Sequence, residues 1–342
     1  MKTINLIHLG PGNVGTTFLR QLRENQKKIE NQYDIKINLT AIFNSKGKVN
    51  LDKQGQNLIE ILDNSQRDQL ILKTALPLIF IDTTASNETN LIIEKVLKKG
   101  GFVVMSNKKP LSSDLKIFKK IFKYKNNLFF ETTVGAGLPI IAAVKELLET
   151  GDEIIEIQGC FSGTLGYIFS LLQKGKKFSQ AVIEAKQKGF TEPDPRDDLS
   201  GLDVARKALI LKRLIGGNAS LDQIVLSPLF PKQLKKISVE EFLKNICILD
   251  KKYDDMIKKS IKKNKTLRFI AQISKKECQV RLTEVDLTSD IGNLNGPDNI
   301  AIIKTKRYYN NPLVIKGPGA GLEVTAGGVF GDLLKIIKII SL

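Results

Sequence analysis

The segment INLIHLG, Ile4 to Gly10, is a short β-rich run that ends on a glycine, and within a few residues Val14, Phe18 and Leu22 recur at helical spacing. The order strand, glycine loop, helix constrains the chain more than any other feature. Gly10, Gly12 and Gly15 make G-x-G-x-x-G, with Asn13 and Val14 in the loop. The first glycine permits the tight turn, the second lets a pyrophosphate approach the backbone, and the third lets helix and strand pack closely. The phosphate would then meet the unpaired amides and positive end of the helix. A tight turn without a ligand is the bland alternative.

The alternation continues. A second strand is expected over INLTAIFN, Ile37 to Asn44. It is followed by LPLIFIDTTAS, the helical NETNLIIEKVLKKG, FVVMSNKKP, the helical LKIFKKIFKYK, and NLFFETTVGAGLP. This predicts an α/β fold of Rossmann type: a parallel sheet wound on both faces, with ligands outside the carboxyl ends of its strands. Thr84, Lys108 and the TVGAGLP turn fall at such ends. The end of the second strand reads Asn44, Ser45, Lys46. No carboxylate there repels a 2′-phosphate and a cation attracts one, which tilts the expected cofactor towards NADP, with NAD possible.

After Pro139 helical segments dominate, up to TEPDPRDDLSGLDVARK, Thr191 to Lys207, which holds five acids and three bases around two prolines. The prolines at 193 and 195 stiffen the loop. Ser200 to Asp203 reads as a capping box opening a helix, with Asp203 and Lys207 four apart on one face. On their own, Asp203 would be a cap and Lys207 half of a surface ion pair. The region from Thr266 to Lys316 reads as β-rich before a last helix from Val329.

Composition narrows the class. The chain has 342 residues, 42% of them hydrophobic, enough for two cores. No run approaches the roughly 18 apolar residues of a membrane span, and no signal peptide is read at the N-terminus. No membrane association and a cytoplasmic location are therefore expected. Three cysteines, Cys160, Cys247 and Cys278, suit neither a disulfide framework nor a zinc site. The formal charge of +17 raises nucleic-acid binding, but the densest run, Lys251 to Lys265, has seven lysines in fifteen residues around Ile257 and Ile261 at helical spacing. That pattern is a solvated helix face, and no nucleic-acid partner is expected. His8, the only histidine, lies in the first strand as a buried imidazole, which disfavours histidine-based catalysis.

Taken together, GPGNVG, SNKKP, ETTVGAGLPII, GDEIIEIQGCFSGTLGYIFS, KGFTEPDPRDDLSGLDVARKALIL and GPGAGLEVTAGGVFGDLL resemble homoserine dehydrogenase over nearly the whole chain, in order and spacing. The resemblance implies a short, monofunctional form without a kinase or regulatory segment. It implies a dinucleotide-binding domain over 1–138 completed by 318–342, and an α+β catalytic and dimerisation domain over 139–317. The implied reaction is reversible NAD(P)H-dependent reduction of L-aspartate 4-semialdehyde to L-homoserine.

The same resemblance places Lys207 and Lys108 at the reacting carbon, with Asp203 orienting the substrate amino group or tuning Lys207. Glu192, Asp198, Gly163 and Thr164 match substrate contacts. Glu131, Val134, Ala136 and Leu138 match a monovalent-cation site, usually sodium, ligated mostly by backbone oxygen. The implied partners are a small-molecule substrate and a second copy of the chain, in a homodimer or homotetramer. Phe190 stands where the family often has tyrosine. Aspartate-semialdehyde dehydrogenase, which needs a cysteine–histidine pair, does not fit a chain whose sole histidine is in the first strand. A dinucleotide-binding sensor or a nucleic-acid-binding protein stays open as the alternative.

Overall fold

The computed structural model describes residues 1–51, 57–61 and 63–342. The chain divides into two compact units, Met1–Gly137 with Gly321–Leu342, and Leu138–Ala320.

The first unit opens with β1 (Lys2–Leu9) and α1 (Asn13–Tyr33), followed by β2 (Ile35–Phe43), β3 (Gly47–Leu51), β4 (Asn57–Ile61) and α2 (Asn64–Lys73). The alternation resumes with β5 (Leu78–Asp82), α3 (Asn90–Lys98), β6 (Phe102–Met105), α4 (Leu115–Phe122) and β7 (Leu128–Phe129). Strand order is β4-β3-β2-β1-β5-β6-β7. Every pair from β2 to β7 is parallel, and β3 and β4 extend the β2 edge as an antiparallel hairpin. This is the expected Rossmann-type sheet; the hairpin was not anticipated.

β1 is central, so both of its faces are covered and its apolar run is nearly unbroken, with Ile4, Leu6, Ile7 and Leu9 all buried. Ile4 and Leu6 join Phe18, Leu22 and Ile29 of α1 and Ile79 and Ile81 of β5 in one core. Ala326, Val329, Leu333, Ile336 and Ile337 of the C-terminal helix (Leu322–Ser341) complete it. The last twenty residues of the chain are thus part of the first unit's core.

The second unit begins with α5 (Ile140–Glu149), β8 (Ile154–Cys160), α6 (Gly163–Gln173), α7 (Phe178–Gln187), α8 (Pro195–Leu199) and α9 (Leu202–Leu214). It continues with β9 (Val225–Leu226), α10 (Val239–Asn245), α11 (Asp250–Lys262), β10 (Lys265–Ile273), β11 (Cys278–Asp286), β12 (Asp298–Thr305) and β13 (Leu313–Pro318). Its sheet runs β13-β12-β8-β10-β11-β9 and is antiparallel except at β9. The lysine-rich run is the expected helix, α11, although Tyr253, Ile257 and Ser260 form its buried face while Ile261 is half exposed. Among the described residues no helix is long and apolar enough to cross a membrane.

Leu333 is fully buried in the core that the C-terminal helix shares with β1 and α1. Leu333→Ala should cost about 2–5 kcal/mol in urea unfolding, whereas Ile339→Ala on the exposed face should stay within about 0.5 kcal/mol. Equal small effects would mean that the helix is not integral to this core.

Candidate functional site

In the first unit the junction of β1 and α1 has no room for side chains. A Cβ on Gly15 would lie 2.4 Å from the Gly10 carbonyl oxygen, 2.6 Å from His8 Cε1 and 2.7 Å from Thr83 Oγ1. Gly10 takes φ +94°, closed to other residues without strain. At Gly12, by contrast, a Cβ would meet nothing within 4 Å. Gly12 is the N-cap of α1, no side chain caps the helix, and its first turn carries no acid. The start of α1 thus has open space at Gly12 and no side-chain cap, as a bound pyrophosphate requires.

Beside this loop lies a cleft of about 410 Å³ lined by Gly10, Asn44, Ser45, Arg67, Thr84 and Glu88 among others. Gly10, Asn44 and Thr84 were expected. Asn44 acts locally: its Oδ1 accepts from the Lys46 amide at 2.8 Å and the Gly47 amide at 3.0 Å, so its carbonyl oxygen is held by the turn. Lys46 is exposed and does not line the cleft. Arg67 does, with its guanidinium 2.8 Å from Asp68. Sequence reading missed Arg67, although the capping box of Asp63 and Gln66 that opens α2 was an available signal for the helix that carries it.

Lys108 is half-buried on the loop after β6, and its position is set by its neighbour. Buried Asn107 donates from Nδ2 to Asp82 Oδ2 at 3.0 Å and to the Ser86 carbonyl at 2.9 Å. The other Asp82 oxygen accepts from the Thr84 amide at 2.9 Å and hydroxyl at 2.7 Å. The loops after β5 and β6 are therefore tied through one carboxylate. Asp82 and Asn107 were also missed; an acid closing an apolar strand was the available signal.

Glu131 is buried in a short 3-10 turn. Its amide donates to Asp332 Oδ2 at 2.8 Å, and Lys335 bridges Asp332 at 2.8 Å and Glu131 at 3.4 Å. Burial pulls the Lys335 ammonium down, yet the two carboxylates outweigh it and its pKa rises above the ordinary value. Gly135 and Ala136 follow with φ +78° and +55°, two left-handed residues in succession that swing the main chain around. Glu131 and Asp332 thus share the Lys335 ammonium beside this turn. Leu138 begins the second unit. Among the described residues no three His, Cys, Asp or Glu side chains converge as a metal cluster.

In the second unit, Asp203 and Lys207 lie one turn apart on α9 with Nζ 2.8 Å from the carboxylate. Lys207 is not a surface lysine: its side chain is 13% exposed, and Nζ also donates to the Phe161 carbonyl at 2.6 Å. An ammonium has three protons, and these contacts use two. Phe161 opens the turn into α6, whose first residues are Gly163 and Thr164. A Cβ on Gly163 would lie 2.9 Å from the Pro297 carbonyl, so only glycine lets α6 start there. The Thr164 hydroxyl donates to the Phe190 carbonyl, and Asp198 Oδ2 accepts from the Glu192 amide at 2.9 Å. Lys207, Asp203, Thr164, Glu192 and Asp198 thus sit on one connected stretch of structure. Burial raises the Asp198 pKa above the ordinary carboxylate value; hydrogen bonds from Glu192 and Thr164 offset part of this.

One expectation about the charged stretch needs correction. Ser200 does not open α9 with a capping box. It closes α8, and its hydroxyl donates to the Asp197 carbonyl. Gly201 at φ +71° is the N-cap of α9 and has no side-chain cap. Arg196, one of the three bases of this stretch, is engaged in holding the loop. It clasps Asp194 at 2.7–3.0 Å and donates to the Leu234, Lys235 and Ile237 carbonyls at 2.6–3.2 Å. Phe190 packs its ring on Tyr167 with centroids 4.8 Å apart. Cys160, at the end of β8, is buried, and burial pushes its thiol up to about 12, far from a nucleophilic thiolate.

The sequence matches the family profile for homoserine dehydrogenase over residues 139–334 and that for the homoserine dehydrogenase NAD-binding domain over residues 10–130. It is 38% identical to homoserine dehydrogenase of Schizosaccharomyces pombe, covering 98% of this chain and 96% of that one. It is 39% identical to the Saccharomyces cerevisiae homoserine dehydrogenase, covering 98% and 99%. A Candida auris protein of unknown function superposes with a TM-score of 0.89 at 32% identity, covering 99% of each chain.

Asp198 supplies a pH test. Its raised pKa means that the fold disfavours the ionised carboxylate more than the unfolded chain does, so its contribution to stability is present below the unfolded value near 4 and lost as pH rises through the folded value. Asp198→Asn should therefore unfold at the same urea concentration as wild type at pH 4 and at a higher one at pH 7. A deficit at pH 7 would show that the ionised carboxylate stabilises the loop.

Proposed function

The chain belongs to the homoserine dehydrogenase family, and on that premise we propose how its own residues carry the reaction. It is an NAD(P)-dependent oxidoreductase that interconverts L-aspartate 4-semialdehyde and L-homoserine, a step towards threonine, methionine and isoleucine. The observation that carries the residue assignment is the Lys207 ammonium, largely buried and fixed between Asp203 and the Phe161 carbonyl.

A nicotinamide held at the glycine loop would supply or accept the hydride at the substrate C4. Negative charge then builds on the aldehyde oxygen, where a positioned ammonium stabilises it and donates a proton. Lys207 holds that proton, and Asp203 and Phe161 fix its direction. In homoserine oxidation the same nitrogen receives it. Lys108, carried on the loop braced by Asn107 and Asp82, is the second ammonium at the reacting carbon. Asp203, Glu192 and Asp198 receive the substrate ammonium, and Gly163 and Thr164 shape the wall beside it.

Gly10, Gly12, Asn13, Val14 and Gly15 would hold the pyrophosphate, with Thr84 beside them. Asn44 and the cleft-lining Arg67 stand at the ribose end, with Lys46 on the exposed turn beside them, and this cationic character favours NADP over NAD. A sodium ion would be held by the oxygens of Glu131, Val134, Ala136 and Leu138, stiffening the turn where the chain leaves the first unit. The assembly is a homodimer or homotetramer. Its support is the open sheet of the second unit, whose edge residues Val225 and Val314 are 61% and 39% exposed.

The decisive measurement is absorbance of reduced nicotinamide when the protein meets homoserine with NADP⁺ and with NAD⁺. Lys207→Ala should lower kcat by about 10²–10³ while the Kd for NADPH changes less than about twofold. A kcat near wild type would remove Lys207 from the chemistry. Arg67→Ala should weaken NADP⁺ more than NAD⁺, by about tenfold in the ratio of kcat/KM, the scale of one charge-assisted hydrogen bond; an unchanged ratio would place the 2′-phosphate elsewhere.

A further inference from the structure

His8 has no part in the chemistry described above, yet it is the chain's only histidine and is wholly buried beneath the glycine loop. Its Nε2 lies 2.8 Å from Thr83 Oγ1. Thr83 Oγ1 in turn lies 2.6 Å from the Gly10 carbonyl oxygen. A hydroxyl has one proton, and the short contact to a pure acceptor takes it, so the Thr83 oxygen accepts from His8 and the imidazole carries its proton on Nε2. The resulting order is His8 Nε2–H to Thr83 Oγ1–H to Gly10 C=O. His8 Nδ1 is then a buried acceptor with no partner, the less costly of the two ways to leave this ring unsatisfied.

The Gly10 carbonyl at the end of that chain also accepts from the Gly12 amide at 2.8 Å. Its orientation bears on whether the loop shows donors or an acceptor to an anion. Held inward, it leaves the amides at the start of α1 facing the open space at Gly12; flipped, it would present an oxygen to a pyrophosphate. We infer that His8 and Thr83 are positioning residues for the dinucleotide, locking the Gly10 carbonyl inward through a two-step hydrogen-bond relay so that the loop presents only donors to the phosphates. The inference rests on the assignment of the first unit as the dinucleotide site. Gly15 packs against the relay, since a Cβ there would fall 2.6 Å from His8 Cε1 and 2.7 Å from Thr83 Oγ1.

The test uses the full-length protein and its variants Thr83→Val, Thr83→Ser, His8→Leu, His8→Gln and the double variant His8→Leu/Thr83→Val. NADPH affinity is read by fluorescence titration, and KM and kcat by homoserine oxidation. Thr83→Val and His8→Leu should each raise the NADPH Kd and the cofactor KM about five- to tenfold, the scale of one hydrogen bond. The homoserine KM and the kcat at saturating cofactor should stay within about twofold. Thr83→Ser and His8→Gln, which keep a hydroxyl and an N–H donor, should bind like wild type. The double variant should be no weaker than Thr83→Val alone, because both substitutions cut the same chain. The inference fails if Thr83→Val binds NADPH like wild type, if the conservative variants are as weak as the apolar ones, or if the double variant shows additive losses. Should His8→Leu not fold, the Thr83 series decides alone. Wild-type protein that does not bind NADPH would overturn the dinucleotide assignment itself and the inference with it.

Discussion

The packing of the C-terminal helix against α1 is the contact on which the rest of this structure depends. Ala326, Val329, Leu333, Ile336 and Ile337 supply a full face of the core that β1 and α1 also line. The first unit is therefore unfinished until residues far beyond its sheet have been made, and the second unit is an insertion whose two ends leave and re-enter one body. The crossing point is built from residues without side chains. A Cβ on Gly137 would lie 2.2 Å from the Val324 carbonyl, and one on Gly328 would lie 2.4 Å from Thr132 Cγ2. Close approach there brings Asp332 and Lys335 onto Glu131, so the returning helix also fixes the turn assigned to the cation. Core packing and site geometry are in this respect one constraint.

Charge is the second organising theme, and most of it has nothing to do with ligands. The chain carries 53 basic against 36 acidic residues, yet the cations that matter structurally are buried ones that bond to carbonyls. Arg268 donates to the carbonyls of Leu267, Gly292 and Leu294 at 2.8–3.0 Å, pinning the loop that precedes β12. Gly296 of that loop packs on Gly166 of α6, and Pro297 packs on Gly163. Lys212 is held in the same manner by the Ser274 and Lys275 carbonyls at 3.0–3.1 Å. Hydrogen-bonded carbonyls solvate these charges where water cannot, and burial still lowers the pKa of both groups. Arg196 works by the same principle. The charged stretch from Thr191 to Lys207 thus divides into residues that hold the loop and residues that the loop holds out.

What was legible in the sequence follows from which signals are local. The glycine loop, the strand–helix alternation and the stiff proline-bearing loop are short-range patterns, and each appears where the residues place it. The misreadings arise where two local patterns overlap or where a partner is distant. Ser200 has the residues of a capping box, but α8 ends on it, and a single glycine turns the chain directly into α9. Asn44 sits at the ribose end of β2 as expected, yet its oxygen is captured by the amides of its own turn. Arg67 and Asn107 owe their places to strand order, which brings the end of β5 beside both β1 and β6, and no window of sequence contains that neighbourhood.

The clearest case of a pattern that cannot announce its role is the Asp–Lys pair at a spacing of four. The chain has it on α9 as Asp203 and Lys207, and on α11 as Asp254 and Lys258, with ion-pair distances of 2.8 and 2.6 Å. By spacing and by distance the two are equivalent. Lys258 is 67% exposed, so water screens its pair and the contact contributes little. Lys207 is 13% exposed and has the Phe161 carbonyl as a second anchor. Its charge is therefore desolvated and aimed, and a developing oxyanion nearby would feel it at far greater strength. The difference between a surface ion pair and a candidate proton donor is made by β8 and the turn into α6, more than forty residues earlier in the chain, and not by anything within the helix that carries the lysine.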